Sequence, residues 1–190
     1  MQEKNVPEIR FKGFEEEWGK RKFHELYKRS VLKNDLTYGI DHIISVANMY
    51  FSNNTNISNE EYLKTYNIFK LGDIAFEGNK SDQFSHGRFV ENSIGDGIVS
   101  HIFEVYTPIM KDYDIEFWKY KINNELLMKQ ILMRSTKSST MMTNLVEKDF
   151  LSESVNVPIF QEQKKIGLFL NRIDHIINYS KNKIDLSQIP

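Results

Sequence analysis

The sequence contains no cysteine, which removes disulfides, zinc–thiolate sites and thiol nucleophiles together. No run approaches the roughly 18 apolar residues that a membrane-spanning helix needs. The start, Met1-Gln2-Glu3-Lys4-Asn5, lacks the basic and apolar regions of a secretory leader. A cytoplasmic protein with no membrane partner is the expectation. A formal net charge of −1 and a pI near 6.5 give no overall electrostatic reason to bind nucleic acid. Charge is uneven along the chain, however. Lys20, Arg21, Lys22, Lys28, Arg29 and Lys33 cluster early, diluted by Glu25, and residues 126–146 hold Lys129, Arg134 and Lys137 without one acid. The ordinary reading of such runs is solvated surface.

What is present is enough for a core. Forty per cent of the 190 residues are apolar and 13% aromatic, which argues against global disorder and fits one domain with an appendage. The first 17 residues are charged and irregular; Phe11, Phe14 and Trp18 are expected to tuck onto the domain. Lys22 to Arg29 has mixed helical character, with Phe23, Leu26 and Tyr27 on one side. Ile43 to Ala47 reads as a strand, and Asn/Ser/Thr-rich residues 50–61 as turns. Phe69-Lys70-Leu71-Gly72-Asp73-Ile74-Ala75-Phe76 reads as strand, tight turn, strand. Glu77 to Gly87 is a polar loop. Arg88–Val90 and Ile98–Tyr106 read as strands around Gly95-Asp96-Gly97, with Pro108 ending the second. Asp114 to Met133 carries apolar residues at helical spacing. Ser135 to Thr143 reads as a loop and Phe150 to Val157 as a last strand. No internal repeat is visible.

Catalytic signatures are missing. Gly78-Asn79-Lys80-Ser81 has Asn79 where a phosphate-cradling loop needs its second glycine. Asn156-Val157-Pro158-Ile159-Phe160 lacks the Pro-Pro core of the tetrapeptide with which adenine methyltransferases hold their target. The five histidines include no pair at helical i, i+3 or i, i+4 spacing for a metal. Asp73, Glu77 and Lys80 do not match the Glu-x-Lys spacing of a metal-dependent nuclease. Spacing reveals no active site.

The strongest periodicity is at the end. Ile166, Leu170, Ile173, Ile177 and Ile184 fall at alternating steps of four and three, with Ser180 in the one polar slot, flanked by Phe169 and Ile176. This is a coiled-coil seam introduced by Pro158, which a helix tolerates at its start. About 29 helical residues would span roughly 43 Å. A rod of that length is expected to need another helix, so these five positions are candidates for dimerisation. The fold expected is α+β: a domain over 1–157 with a mainly antiparallel, twisted sheet and a few helices, then a long coiled-coil helix over 158–190.

Several phrases, in order, resemble the specificity subunit of type I restriction–modification enzymes. Pro7-Glu8-Ile9-Arg10-Phe11 with Phe14-Glu15-Glu16-Glu17-Trp18 is similar to the start of a target recognition domain in that family. Lys70-Leu71-Gly72-Asp73-Ile74 is similar to its hairpin, and Gly97-Ile98-Val99-Ser100 to the strand that follows. Val155-Asn156-Val157-Pro158 and Glu162-Gln163-Lys164-Lys165-Ile166-Gly167 through Ile173-Asp174 resemble the passage into its conserved spacer helix. The resemblance covers one recognition domain and one helix, half of the family's two-fold arrangement.

The resemblance implies a non-catalytic subunit that reads one half of a bipartite target on double-stranded DNA. It implies partners as well: methyltransferase subunits using S-adenosylmethionine, motor-nuclease subunits using ATP, and a second copy or second half pairing helix to helix. The chain itself would hold no cofactor and no metal. DNA contacts are then expected from Asn79, Lys80, Ser81 and Gln83 in one loop, where Asn and Gln suit adenine and Lys80 suits phosphate or guanine. Arg134, Lys137, Ser138, Ser139 and Thr140 would supply phosphate donors in another. Arg88, Lys28, Arg29 and Lys33 are weaker candidates. Two other readings stay open: a small DNA-modifying or DNA-cleaving enzyme, and a docking module that touches only protein.

Overall fold

The computed structural model describes residues 7–52, 57, 59–139 and 142–187, with 182 and 184–187 described by backbone alone. Along the chain run β1 (Gly19–Lys22), α1 (Phe23–Leu26), β2 (Tyr27–Ser30), β3 (Ile44–Ser45), β4 (Tyr50–Phe51), β5 (Asn67–Phe69), β6 (Ile74–Glu77), β7 (Arg88–Glu91), β8 (Gly97–Val99) and β9 (Glu104–Pro108). Then follow α2 (Ile115–Ile122), α3 (Glu125–Ser135), β10 (Thr136–Ser138), β11 (Thr143–Leu145), α4 (Glu147–Ser152), β12 (Ser154–Val157) and α5 (Phe160–Ser187). The expected class, an antiparallel α+β domain followed by a long helix, is the one observed.

A four-stranded sheet in the order β2-β9-β6-β7 sits at the centre, every pair antiparallel. Side chains alternate across a strand, so this sheet packs on both faces. Ile74, Phe76, Phe89 and Tyr106 join Phe23, Trp118, Ile131 and Phe150 in the larger core. Ala75, Val90 and Val105 meet Ile44, Val46, Phe69 and Val99 on the other side.

Several local expectations change. Gly72 adopts φ +86° and the Asp73 amide donates to the Lys70 carbonyl at 2.9 Å, so the turn is there. Its flanking strands do not pair with each other: β5 pairs with β8, and β6 lies between β9 and β7. The stretch Ile98–Tyr106 is two strands, broken where the Phe103 amide turns back to the Ser100 carbonyl. The amphipathic run from Asp114 breaks at Asn123-Asn124. There Asn124 caps α3 by accepting from the Leu127 amide at 2.9 Å, a competition that Asn side chains favour over helix continuation. Ser135–Thr143 is mostly a hairpin, β10 against β11, and Phe150 lies in a helix rather than a strand. One-turn α1 separates two strands in the Lys22–Arg29 segment.

The antiparallel β1–β12 pair brings the start of the domain beside the chain that enters α5, with Gly19 opposite Val157. The N-terminal aromatics do tuck in, mainly on α5 and α2. Phe11 meets Phe169 edge-on, Lys165 lies over the Phe14 ring, and Trp18 meets Phe117. α5 then crosses α2 at Gly167. A Cβ there would lie 2.7 Å from the Phe117 amide nitrogen and 2.5 Å from Asp114 Oδ1, the atom that caps α2. The Tyr120 hydroxyl, one turn along α2, donates to Asp174 at 2.6 Å.

Gly167→Ala therefore pits two effects against each other. Alanine gains about 0.5–1 kcal/mol of helix propensity, while overpacking against backbone costs about 1–3 kcal/mol. The clash is with an amide that cannot rotate away, so a net loss of about 1–2 kcal/mol is expected from urea denaturation; a more stable variant would contradict the crossing.

A buried acid gives a second test. Glu91 is 1% exposed and accepts a hydrogen bond from the Tyr113 hydroxyl. Burial pushes its carboxyl up to about 9, against the lowering effect of that bond. Neighbouring Asp73 is pushed up by burial to about 6. A raised folded value means that the stability Glu91 contributes is complete below its ordinary value, near 4.5, and is lost as pH climbs through 9. Between pH 7 and 9, above the Asp73 transition, stability should fall by about 1.4 kcal/mol per pH unit from this group. Glu91→Gln should flatten that slope; an unchanged slope would place its origin elsewhere.

Candidate nucleic-acid interface

Two sequence-distant loops are built into one ridge. The first, residues 78–83, leaves β6; the second is the β10–β11 hairpin. Gly78 fits because a Cβ on it would lie 2.3 Å from the Thr143 carbonyl oxygen. The Thr143 amide donates to the Gly78 carbonyl at 2.8 Å, and Asn79 bridges to Met142. The Lys80 ammonium donates to Ser138 Oγ and to the Ser139 carbonyl. Lys80 is thus a staple between the loops rather than an outward cation.

Six expected contact residues therefore come together with Lys80: Asn79, Ser81, Gln83, Lys137, Ser138 and Ser139. Lys137 is exposed on β10 opposite Asn144, and no carboxylate partner lies near it among the described residues. Ser81 Oγ accepts from the Phe84 amide at 3.0 Å, which shapes the loop. Gln83 donates through Nε2 to Glu125 Oε2 at 3.1 Å. Thr140 lies outside the described residues.

The arginines sit differently. Arg134 is clasped by Glu153, with Nε to Oε1 at 2.8 Å and Nη2 to Oε2 at 2.6 Å. Arg88 donates to Glu77 at 2.7 Å and stacks on Phe84. Arg29 is shared between Glu104 and Glu147. Lys33 donates to the Thr65 carbonyl at 2.8 Å, while Lys28 is exposed on edge strand β2. Carboxylates thus pair with all three arginines, of which Arg29 and Arg134 stay exposed.

Beside the ridge lies a cavity of about 320 Å³ walled by the 47–49 turn, the 83–88 loop and the α2–α3 junction. Asn48, His86, Glu125 and Lys129 line it. Glu125 and Lys129 share a helix face at i, i+4 spacing, a signal the sequence did carry. Asn48 follows from a turn in which Met49 takes φ +50°, which residue order alone does not announce. No group of three His, Cys, Asp or Glu among the described residues is placed to hold a metal, and no helix among them is long and apolar enough to cross a membrane.

The helical seam is divided. Ile166 packs on the larger core. With Leu170 and Phe169 it also walls an apolar cavity of about 270 Å³ whose other side includes Pro7, Ile9 and Trp18. Ile173 is half-buried, and Ile177 is exposed, as are Leu168, Phe169, Ile176 and Tyr179. The Ile184 side chain lies outside what the structure describes. The seam therefore turns partly inward to its own domain and partly outward.

No protein-family model and no curated protein sequence matches this chain significantly. Solved structures do. The S subunit of a type I restriction–modification system from M. genitalium aligns with TM-score 0.56 at 12% identity, over 96% of this chain and 45% of that one. A chain from a study of complex assembly and conformational transition in the type I R-M system aligns with TM-score 0.55 at 11% identity, over 93% of this chain and 43% of that one. The HsdS subunit from Thermoanaerobacter tengcongensis aligns with TM-score 0.52 at 12% identity, over 90% and 41%. This chain spans less than half the length of those chains, and it has the fold of type I restriction–modification specificity subunits.

Proposed function

We propose that this chain is a non-catalytic DNA-recognition module of a type I restriction–modification system, reading one half of a bipartite target on double-stranded DNA. Partner subunits would do the chemistry, the methyltransferase with S-adenosylmethionine and the motor-nuclease with ATP. The observation that carries this reading is the stapled ridge, set on a fold shared with S subunits. Residues 78–83, 136–139 and 142–145 together present amides, hydroxyls and an exposed lysine, held up by a packed domain. Amides and hydroxyls suit base edges and phosphates.

The test is a map of adenine methylation in cells that carry this chain with its methyltransferase subunits. A recurrent motif that vanishes when the chain is removed is expected; a motif indifferent to it would refute the reading. Within that motif Lys137→Ala should weaken binding about equally on all sequences and reduce the salt slope by about one unit, because a phosphate contact carries no sequence information. A change of motif on Lys137→Ala would instead make it a base reader.

The outward part of α5 is proposed to pair with the same helix of a second copy or with a second half-subunit. Large apolar side chains are each worth about 1.5–3 kcal/mol when fully buried, and an isologous pairing closes at two. Ile176 and Ile177 lie beyond the part of α5 that walls the N-terminal cavity. Ile176→Asp with Ile177→Asp should leave the domain folded by circular dichroism yet monomeric in sedimentation, whereas the unmutated chain pairs. Monomeric behaviour of the unmutated chain, alone and with methyltransferase subunits, would defeat the pairing.

A further inference from the structure

Gln83 is a ridge residue whose side-chain amide is oriented by a carboxylate, with a shorter contact than the 3.4 Å one from Asn79 to Glu77. A carboxylate offers only acceptors, so the 3.1 Å contact with Glu125 Oε2 requires the amide nitrogen to face Glu125. That settles which way the amide points, and it leaves one N–H and Oε1 of Gln83 without a partner among the described residues. Glu125 is itself placed by the fold: it is the first residue of α3, directly after the Asn124 cap, and it lines the cavity under the 83–88 loop.

An amide with one acceptor and one donor free matches the major-groove edge of adenine, which offers the N6 amino donor beside the N7 acceptor. Guanine presents two acceptors there, O6 and N7, and would set O6 against Oε1. Cytosine presents a donor without the neighbouring acceptor, and thymine the reverse. Glu125 and the exposed Asp82 place negative charge near the amide, against Lys129 on the far side of the same cavity, so Gln83 itself is better suited to a base edge than to a phosphate.

We infer that Gln83 reads an adenine by a bidentate contact, and that Glu125 is a positioning residue that holds the Gln83 amide in the reading orientation. This rests on the recognition reading above and names the base that one ridge residue would select. A positioned amide loses less side-chain freedom on binding than a mobile one, so Glu125 acts on selectivity without touching DNA.

The experiment is selection from a randomised duplex library with the full chain and its methyltransferase subunits, followed by affinity measurement on the recovered sequence. The unmutated complex should enrich adenine at one position. Gln83→Ala and Glu125→Ala should both lose the preference at that same position, by roughly five- to 150-fold in discrimination, while the other positions persist. Glu125→Gln, which keeps an acceptor, should restore it. Replacing that adenine by 7-deazaadenine, which lacks the N7 acceptor, should weaken the unmutated complex and leave Gln83→Ala indifferent. A merely structural Glu125 would lower affinity at all positions alike, and that result overturns its positioning role. Retention of the adenine preference by Gln83→Ala overturns the inference while leaving the recognition function standing. Absence of any enrichment by the unmutated complex overturns the recognition reading itself.

Discussion

The placement of the whole chain depends on one buried ion pair. Arg10 reaches Glu162 with Nε to Oε1 at 2.7 Å and Nη2 to Oε2 at 2.8 Å, and the Glu162 side chain has no exposure at all. A carboxylate taken out of water in this way is tolerable only with its counter-charge. The pair joins residues 152 apart in the chain, and its consequences spread from there. Phe11 and Phe14 are delivered to Phe169 and Lys165. β1 is brought alongside β12, and α5 leaves the domain from a fixed point. Gln163, next to Glu162, secures the same corner by donating to the Pro158 carbonyl at 3.0 Å.

Five of the six arginines, Arg10, Arg21, Arg29, Arg88 and Arg134, pair with carboxylates, a use that suits the planar, forked guanidinium. Among the lysines Lys64 pairs with Glu61, and the most telling is Lys80. An ammonium has three donors around a point charge, enough to bind a hydroxyl and a carbonyl from the hairpin. The ridge itself carries little net charge, Lys80 and Lys137 against Asp82, and its surface is set by amides and hydroxyls more than by cations.

How much of this could be read from residue order depends on the range of each interaction. Local signals served well: the α+β class, the Gly72 turn, the end of β9 at Pro108 and the start of the long helix all follow from propensity and spacing within a few residues. Pairing failed where it depended on the rest of the fold. Ile68-Phe69 and Ile74-Ala75 flank a good turn and suggest a hairpin, yet β5 is taken by β8 and β6 by two other partners. The two loops of the ridge each stand out in the sequence by their polar residues, but their union through Gly78, Lys80 and Thr143 spans about 60 positions and leaves no periodic trace. The partners of Arg134 and Arg88 leave no local trace for the same reason, since Glu153 and Glu77 become their neighbours only through the fold.

The division of α5 explains why a coiled-coil repeat was the clearest pattern in the chain. A helix that packs on one side has an apolar stripe about one face wide. On α5, Gly167 and Asp174 meet α2, while Phe169 and Ile176 lie roughly 160° round the helix, Phe169 under Phe11 and Ile176 exposed. Ile166, Leu170, Ile173 and Ile177 run along the line between those two faces, buried against the domain at its start and exposed at Ile177. The apolar repeat therefore continues past the point where the domain ends. Exposed apolar residues scattered singly need no explanation, but a continuous row on one helix is the kind of patch that marks an interface. The bidentate Arg10–Glu162 pair and the glycine crossing hold the proximal turns rigidly to the domain, so any partner on the distal turns would have its geometry transmitted to the ridge.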